Sequence, residues 1–157
     1  MRESQKIFLF LPRITLGWLF FYAGITKVLN PDWSAAGYLK SAKTFGGFYT
    51  WLAGPDILPI TNFLNEWGLT LIGAALVLGV FVRLSSVLGA FLMILYYFPG
   101  LEFPYVEHGF LVDEHIVYAS ILLVLASFRA GRIWGLENWC SSLPICSKFP
   151  KLRSLLG

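Results

Sequence analysis

Five ionisable side chains stand where an apolar sequence has little room for charge. Lys27 lies near the end of the run LGWLFFYAGITKVLNP, Glu66 near the start of a second apolar run, and Asp113, Glu114 and His115 open a later one. A carboxylate beside an imidazole exchanges protons near neutral pH. An ammonium or imidazolium donates hydrogen bonds to carbonyl oxygens. Tyr118, three residues after His115, and Tyr96 add hydroxyls and flat rings. A second cation, Arg13, precedes Lys27 on the first run. These types suit proton transfer to, or recognition of, a small polar group sheltered from water.

The elements that must carry them follow from composition. The chain has 157 residues, enough for one domain, and is 57% hydrophobic, 17% aromatic and 13% charged. A soluble domain carries about 25% charged residues, so lipid is the expected solvent. A membrane-crossing helix needs about 20 mostly apolar residues. Four runs qualify, at about 7–29, 63–82, 84–101 and 110–128. The first would reach about 34 Å at 1.5 Å per residue. It exceeds the ~7–15-residue core of a signal peptide, holds two cations and lacks an A-x-A site, and is read as a retained span. Only Arg83 and its neighbours part the second and third runs, so these form an antiparallel hairpin. The expectation is an all-α, integral membrane four-helix bundle over residues 1–139, followed by a basic cytoplasmic tail, 140–157.

Basic residues collect on the cytoplasmic side. With both termini and the Arg83 turn inside, the inner set holds nine cations against two acids, a net +7; the outer set holds three against seven, a net −4. The sequence thus predicts a multi-pass plasma-membrane protein with both termini cytoplasmic. Tail residues Lys148, Lys151 and Arg153 would lie near anionic headgroups. The first outer loop, 30–62, is rich in Trp, Tyr and Phe, which suits the membrane interface. Within it SAAGYLKSAKTF is expected to form a short interfacial helix, with Ser34 as N-cap and Gly46-Gly47 as its stop.

Helical spacing places Arg13, Gly17, Phe20, Gly24 and Lys27 on one stripe of the first span. Glycines on a membrane helix allow close approach by another helix, so the stripe faces protein. On the second span Thr70, Gly73 and Val77 follow Glu66. On the third, Ser86, Gly89, Met93, Tyr96 and Gly100 mark a small or polar face. The outer half of the bundle should then enclose Lys27, Glu66, Glu114 or Asp113, His115 and Tyr118. Against this stands snorkelling, in which charges near span ends simply reach the interface.

Three segments, RITLGWLFFYAGITKVLNP, NEWGLTLIGAALVLGVFVRLSSVLGAFLM and VDEHIVYASILLVLASFRAGRIWGLENW, together resemble the DoxX family of small four-span membrane proteins over residues 10–139. The resemblance implies Arg13, Lys27, Glu66, Gly79, Arg83 and His115 as pattern residues, and a link to quinone or thiol redox systems. It leads to three readings. In the first, a quinone-linked oxidoreductase subunit, Lys27 and His115 bond the quinone carbonyls, Glu66 or Glu114 passes protons, and Tyr96, Tyr97 or Tyr118 flanks the ring. The second is a non-catalytic scaffold or assembly factor for a soluble redox partner. The third is a small-anion transporter, an oligomer with Arg13 and Lys27 as steps. The expected partners are the lipid bilayer, a soluble redox protein or further copies of the chain, and no nucleic acid. Cys140 and Cys146 lack C-x-x-C spacing and read as unpaired thiols. A metal on His108 and His115 is disfavoured, since first-row sites need three or more placed ligands.

Overall fold

The computed structural model describes residues 2–106 and 109–137. Cys140, Cys146, the basic tail, Glu107 and His108 lie outside the described residues. Four longer helices carry the fold: α1 (Glu3–Val28), α4 (Leu58–Leu78), α5 (Val82–Gly100) and α6 (Glu114–Ser127). Two short helices, α2 (Ala36–Lys40) and α3 (Gly46–Leu52), occupy the long first loop. A two-residue hairpin, β1 (Tyr105–Val106) with β2 (Gly109–Phe110), precedes α6, and a 3-10 turn, Ala130–Arg132, follows it. Helices α1 and α5 are long and apolar enough to cross a membrane by length and composition. Apolar side chains face outward along the bundle: Trp18 is 61% exposed, Leu71 62% and Phe91 64%. Water would penalise such a surface, whereas lipid solvates it.

The predicted stripe on α1 is its buried face: Arg13, Leu16, Gly17, Phe20 and Gly24 are all buried. It packs chiefly on α4, while α5 packs chiefly on α6. Glycine is required at this crossing because backbone meets backbone. A Cβ on Gly73 would run into the Phe21 backbone, and one on Gly24 into the Thr70 backbone. The core around the stripe contains Phe20, Leu69, Leu76, Met93, Leu122 and Leu125.

Helices α4 and α5 form the expected hairpin, but its turn lies at Gly79–Phe81 rather than at Arg83: Gly79 closes α4 at φ 67°, Phe81 opens α5 at φ 54°, and Arg83 stands in the first turn of α5. Other boundaries differ as well: α4 starts five residues before the expected 63. The last span was expected from 110, but residues 109–110 pair in the hairpin and α6 begins at Glu114. Asp113 sets that start: its Oδ1 accepts from the backbone N–H of His115 at 3.0 Å and Ile116 at 3.2 Å. The loop helix also differs. Gly46-Gly47 opens α3 rather than ending a helix, and α2 is only five residues long. Phe45, at φ 56°, makes the break between them.

The loop helices are tied down by a proline effect. Pro99 has no N–H, so the Leu95 carbonyl four residues earlier loses its helical donor. The Tyr49 hydroxyl donates to that carbonyl instead, at 2.8 Å. Beside it the Tyr38 hydroxyl donates to the Tyr96 carbonyl at 2.6 Å. Asn62 Oδ1 accepts from Ala35 N at 3.0 Å and joins the same loop to α4.

The glycine crossing yields a direct test. Gly73→Ala must push a backbone aside, and overpacking typically costs about 1–3 kcal/mol. Thermal unfolding in detergent, followed by circular dichroism, should show a lower midpoint for Gly73→Ala. Gly68→Ala on the same helix, where a Cβ meets nothing within 4 Å, should match or exceed wild type. Equal midpoints for both variants would contradict the close crossing.

Candidate functional site

The geometry separates the two cations of α1. Fourteen residues of helix put Arg13 and Lys27 about 21 Å apart along the axis, at opposite ends of the bundle. Each end has its own network.

At the Lys27 end the ammonium turns inward and donates to Asn65 Oδ1 on α4 at 2.8 Å. It also lies over two rings, Trp33 at 4.8 Å and Tyr96 at 5.7 Å to the centroids. Such contacts are worth about 0.5–2 kcal/mol, more when desolvated. Glu66, half-buried one position along from Asn65, acts on Lys27 through space, but the two make no ion pair within 4 Å among the described residues. Its backbone carbonyl accepts from Thr70 Oγ1 at 2.7 Å. Behind Tyr96, the His115 ring meets it edge-on at 5.9 Å between centroids. His115 Nδ1 is 2.7 Å from Asp113 Oδ2. With the carboxylate as acceptor, the proton sits on Nδ1 and Nε2 is left as the exchangeable nitrogen. The Tyr96 hydroxyl is buried beside the Asn65 side chain without a hydrogen bond of sound geometry.

Asn65 and Tyr96 form the polar end of a cleft of about 320 Å³ between α4 and α5. Its walls are otherwise mostly apolar, with Gly68 and Ile72 from α4 and Phe91 and Leu92 from α5; Thr61 also lines it, and Tyr38, Leu39 and Tyr49 of the loop helices roof it. Leu64, Leu88 and Phe91 border it and are exposed on the outer surface, so the cleft opens toward the surrounding hydrocarbon. Its size is that of a small-molecule site, about 300–1,000 Å³.

The structure therefore groups Lys27 and His115 around Tyr96, with Glu66 adjacent; of these four only Tyr96 lines the cleft. It does not bring in the others. Glu114, expected among the proton-passing acids, is exposed, and its neighbour Asp113 makes the contact with His115. The reason is the capping geometry, which turns residue 113 in and residue 114 out. Tyr118 packs on Phe20, 6.4 Å between ring centroids, rather than lining the cleft. Tyr97 is committed elsewhere, its hydroxyl donating to the Leu111 carbonyl at 2.6 Å. Sequence reasoning missed Asn65 and Trp33. Asn65 is neutral and hides beside a charged neighbour; Trp33 reads in the sequence as one more aromatic of the first loop.

Arg13 belongs to the other network. It is 1% exposed. Its Nη1 donates to the carbonyls of Ala130 at 2.7 Å and Ile133 at 2.8 Å, and Nη2 lies 3.4 Å from that of Trp134. The segment after α6 is thus folded under the bundle, where backbone bonds from Leu136 N to Leu78 O (3.1 Å) and Glu137 N to Gly79 O (3.0 Å) complete the closure. Arg13, expected as a ligand-binding cation, is instead the pin of this closure. Glu137 is buried beside it, with Arg132 Nε 3.8 Å away.

The chain belongs to the DoxX family, whose match covers residues 8–99. It is accordingly a small integral membrane protein of helical build. No curated protein and no solved structure gave a significant match.

Two outcomes follow for the closed end. Arg13→Met leaves three carbonyls and a buried carboxylate without their cation, a loss of about 3–5 kcal/mol, read as a large fall in thermal midpoint. Glu137 lies beyond the spans. Burial raises its carboxyl above the ordinary range, against the pull of Arg132, Arg129 and Arg13. A raised folded-state value means stability that is full below the ordinary carboxylate range and lost as pH rises through the raised one. The midpoint of wild type minus that of Glu137→Gln should therefore be larger at pH 4 than at pH 8; the opposite trend would refute the assignment.

Proposed function

We propose that this DoxX protein is a multi-pass plasma-membrane subunit that holds a quinone headgroup at the Lys27 end and works with a separate redox protein. The observation that carries the reading is the α4–α5 cleft, apolar along its length, open to hydrocarbon, and ending on Asn65 and Tyr96 beside the Lys27 ammonium. A quinone needs those two features: a path from lipid for an apolar tail, and donors at its carbonyls. The donor set fits. Lys27 has three N–H donors, of which Asn65 takes one. The buried Tyr96 hydroxyl, lacking a well-formed bond, is a second donor. Flat rings at Tyr96 and Phe91 suit a planar headgroup. When bound, a quinone supplies two-electron chemistry with uptake of two protons, the electrons coming from the redox partner. His115, oriented by Asp113, stands one ring away from the cleft and can hand on a proton.

Orientation follows the charges. Arg2, Lys6, Arg13, Arg83, Arg129 and Arg132 gather toward the closed end, against Glu3 and Glu137. By the positive-inside rule that end is cytoplasmic, and the Lys27 cleft opens in the outer half of the bilayer. The anion-path reading loses its first step, because Arg13 is occupied by backbone carbonyls.

The chain purified from membranes in mild detergent should retain extractable quinone, and Lys27→Met should lower the content about tenfold, with an unchanged thermal midpoint or one within a few degrees. Equal content in both proteins would end the quinone reading and favour a non-catalytic scaffold for a redox partner.

A further inference from the structure

A second cleft lies at the opposite end of the bundle, on a different pair of helices. It measures about 340 Å³ and sits between the first turns of α5 and the last of α6. Arg83 and Arg129 line it, with Val87, Leu123, Ala126 and Ser127. Its composition is divided. The two arginines stand where the helices end, and Val87 and Leu123 lie one turn or more deeper, both exposed on the outer surface. Among the described residues that line it, none is acidic. The Ser127 hydroxyl donates to the Leu123 carbonyl at 2.7 Å.

Two guanidinium groups at a span end, above an apolar groove that continues toward the bilayer, match one kind of molecule from head to tail. From this charge complementarity and this order of polar and apolar walls we infer that the α5–α6 cleft is a binding site for an anionic phospholipid. The phosphodiester lies between Arg83 and Arg129, and an acyl chain follows Val87 and Leu123. Guanidinium pairs well with phosphate because it offers planar, paired N–H donors. A free phosphate would gain the charge contacts alone, and a zwitterionic phospholipid would bring a cationic group against the arginines. Basic pockets between spans are a recurrent lipid-recognition device. Arg129 is positioned for the role by its backbone: at φ 49° it turns the chain off the end of α6, beside the cleft rather than along the helix axis. The inference does not depend on the quinone reading, since it uses neither the residues nor the cleft at the Lys27 end.

The test uses the full chain in detergent and native mass spectrometry, with dioleoylphosphatidylglycerol, dioleoylphosphatidylcholine and glycerol phosphate as probes. Wild type should bind one phosphatidylglycerol at least tenfold more tightly than phosphatidylcholine and show no binding of glycerol phosphate in the same range. Arg83→Gln/Arg129→Gln should lose that preference, and each single variant part of it. Arg2→Gln/Lys6→Gln removes two charges elsewhere and should keep it. Equal phosphatidylglycerol binding by wild type and the Arg83/Arg129 double variant would overturn the site, as would an equal loss in the Arg2/Lys6 variant, which would mean only general charge attraction. Glycerol phosphate binding as tight as the lipid would overturn the lipid assignment. If the double variant fails to fold, the single variants and the salt dependence of wild type decide: phosphatidylglycerol preference must fall from low to high salt, and a preference unaffected by salt would refute a phosphate held by arginines.

Discussion

The close approach of α1 to α4 governs the rest of the molecule. Gly17, Gly24 and Gly73 remove side chains from the crossing, so that backbone of one helix meets backbone of the other. In lipid no hydrophobic drive pushes helices together, and close van der Waals contact must supply much of the association. The crossing fixes the rotation of α1, and the rotation determines where its cations point. Lys27 arrives against Asn65, and Arg13 arrives beneath Gly79. There the same absence of side chains matters again: a Cβ at Gly79 or at Gly135 would stand 2.9 Å from Arg13 Nη1. A guanidinium this buried is tolerated because the carbonyls of Ala130 and Ile133, in the segment after α6, accept hydrogens from its Nη1.

That pairing pattern also explains where the cleft lies. Helix α4 is held to α1 and helix α5 to α6, and the two pairs meet less closely across the middle. Consecutive helices joined by a tight turn would ordinarily be each other's best partners. Here the turn at Gly79 and Phe81 ties them at one end only. The gap between them is roofed by α2 and α3, whose tyrosines take carbonyls on α5 that Pro99 and the helix end make available. A sequence feature that looks like a helix breaker, a proline within a span, thus becomes the anchor of the roof.

Much of this was legible in the sequence. Four helices, a tight hairpin between the second and third, and the buried stripe of α1 follow from hydropathy and from spacing of 3.6 residues, both of which reflect backbone geometry directly; the turn itself sits at Gly79–Phe81, where a glycine can take positive φ, and not at the charged Arg83. The small-residue face of α5 was legible for the same reason: Ser86, Gly89 and Met93 are all buried. Boundaries set by a single side chain were less so. Asp113 looks like one more acid until it is seen to cap α6, and Gly46-Gly47 fits a helix start as readily as a stop. The partner of Lys27 is hidden in the sequence for a physical reason. Charge counting directs attention to Glu66, yet helical rotation places residue 65 toward α1. An amide also satisfies an ammonium without a second buried charge, whose desolvation can outweigh the attraction gained.

The neutrality of that partner bears on whether Lys27 is merely snorkelling. A snorkelling lysine extends its ammonium to water, where hydration satisfies all three donors. This one is directed inward, onto one amide oxygen and two ring faces, all uncharged. Ring quadrupoles and a single dipole replace only part of the lost hydration. The arrangement is stable enough to fold around, yet leaves the cation short of acceptors. A carbonyl oxygen arriving through the apolar cleft would complete its shell without adding charge to the bilayer interior. The buried Tyr96 hydroxyl is under-satisfied in the same way and lies on the same side of the bundle. On the quinone reading proposed above, Tyr96 at the end of the cleft and Lys27 beside it would be the two donors that meet the carbonyl oxygens.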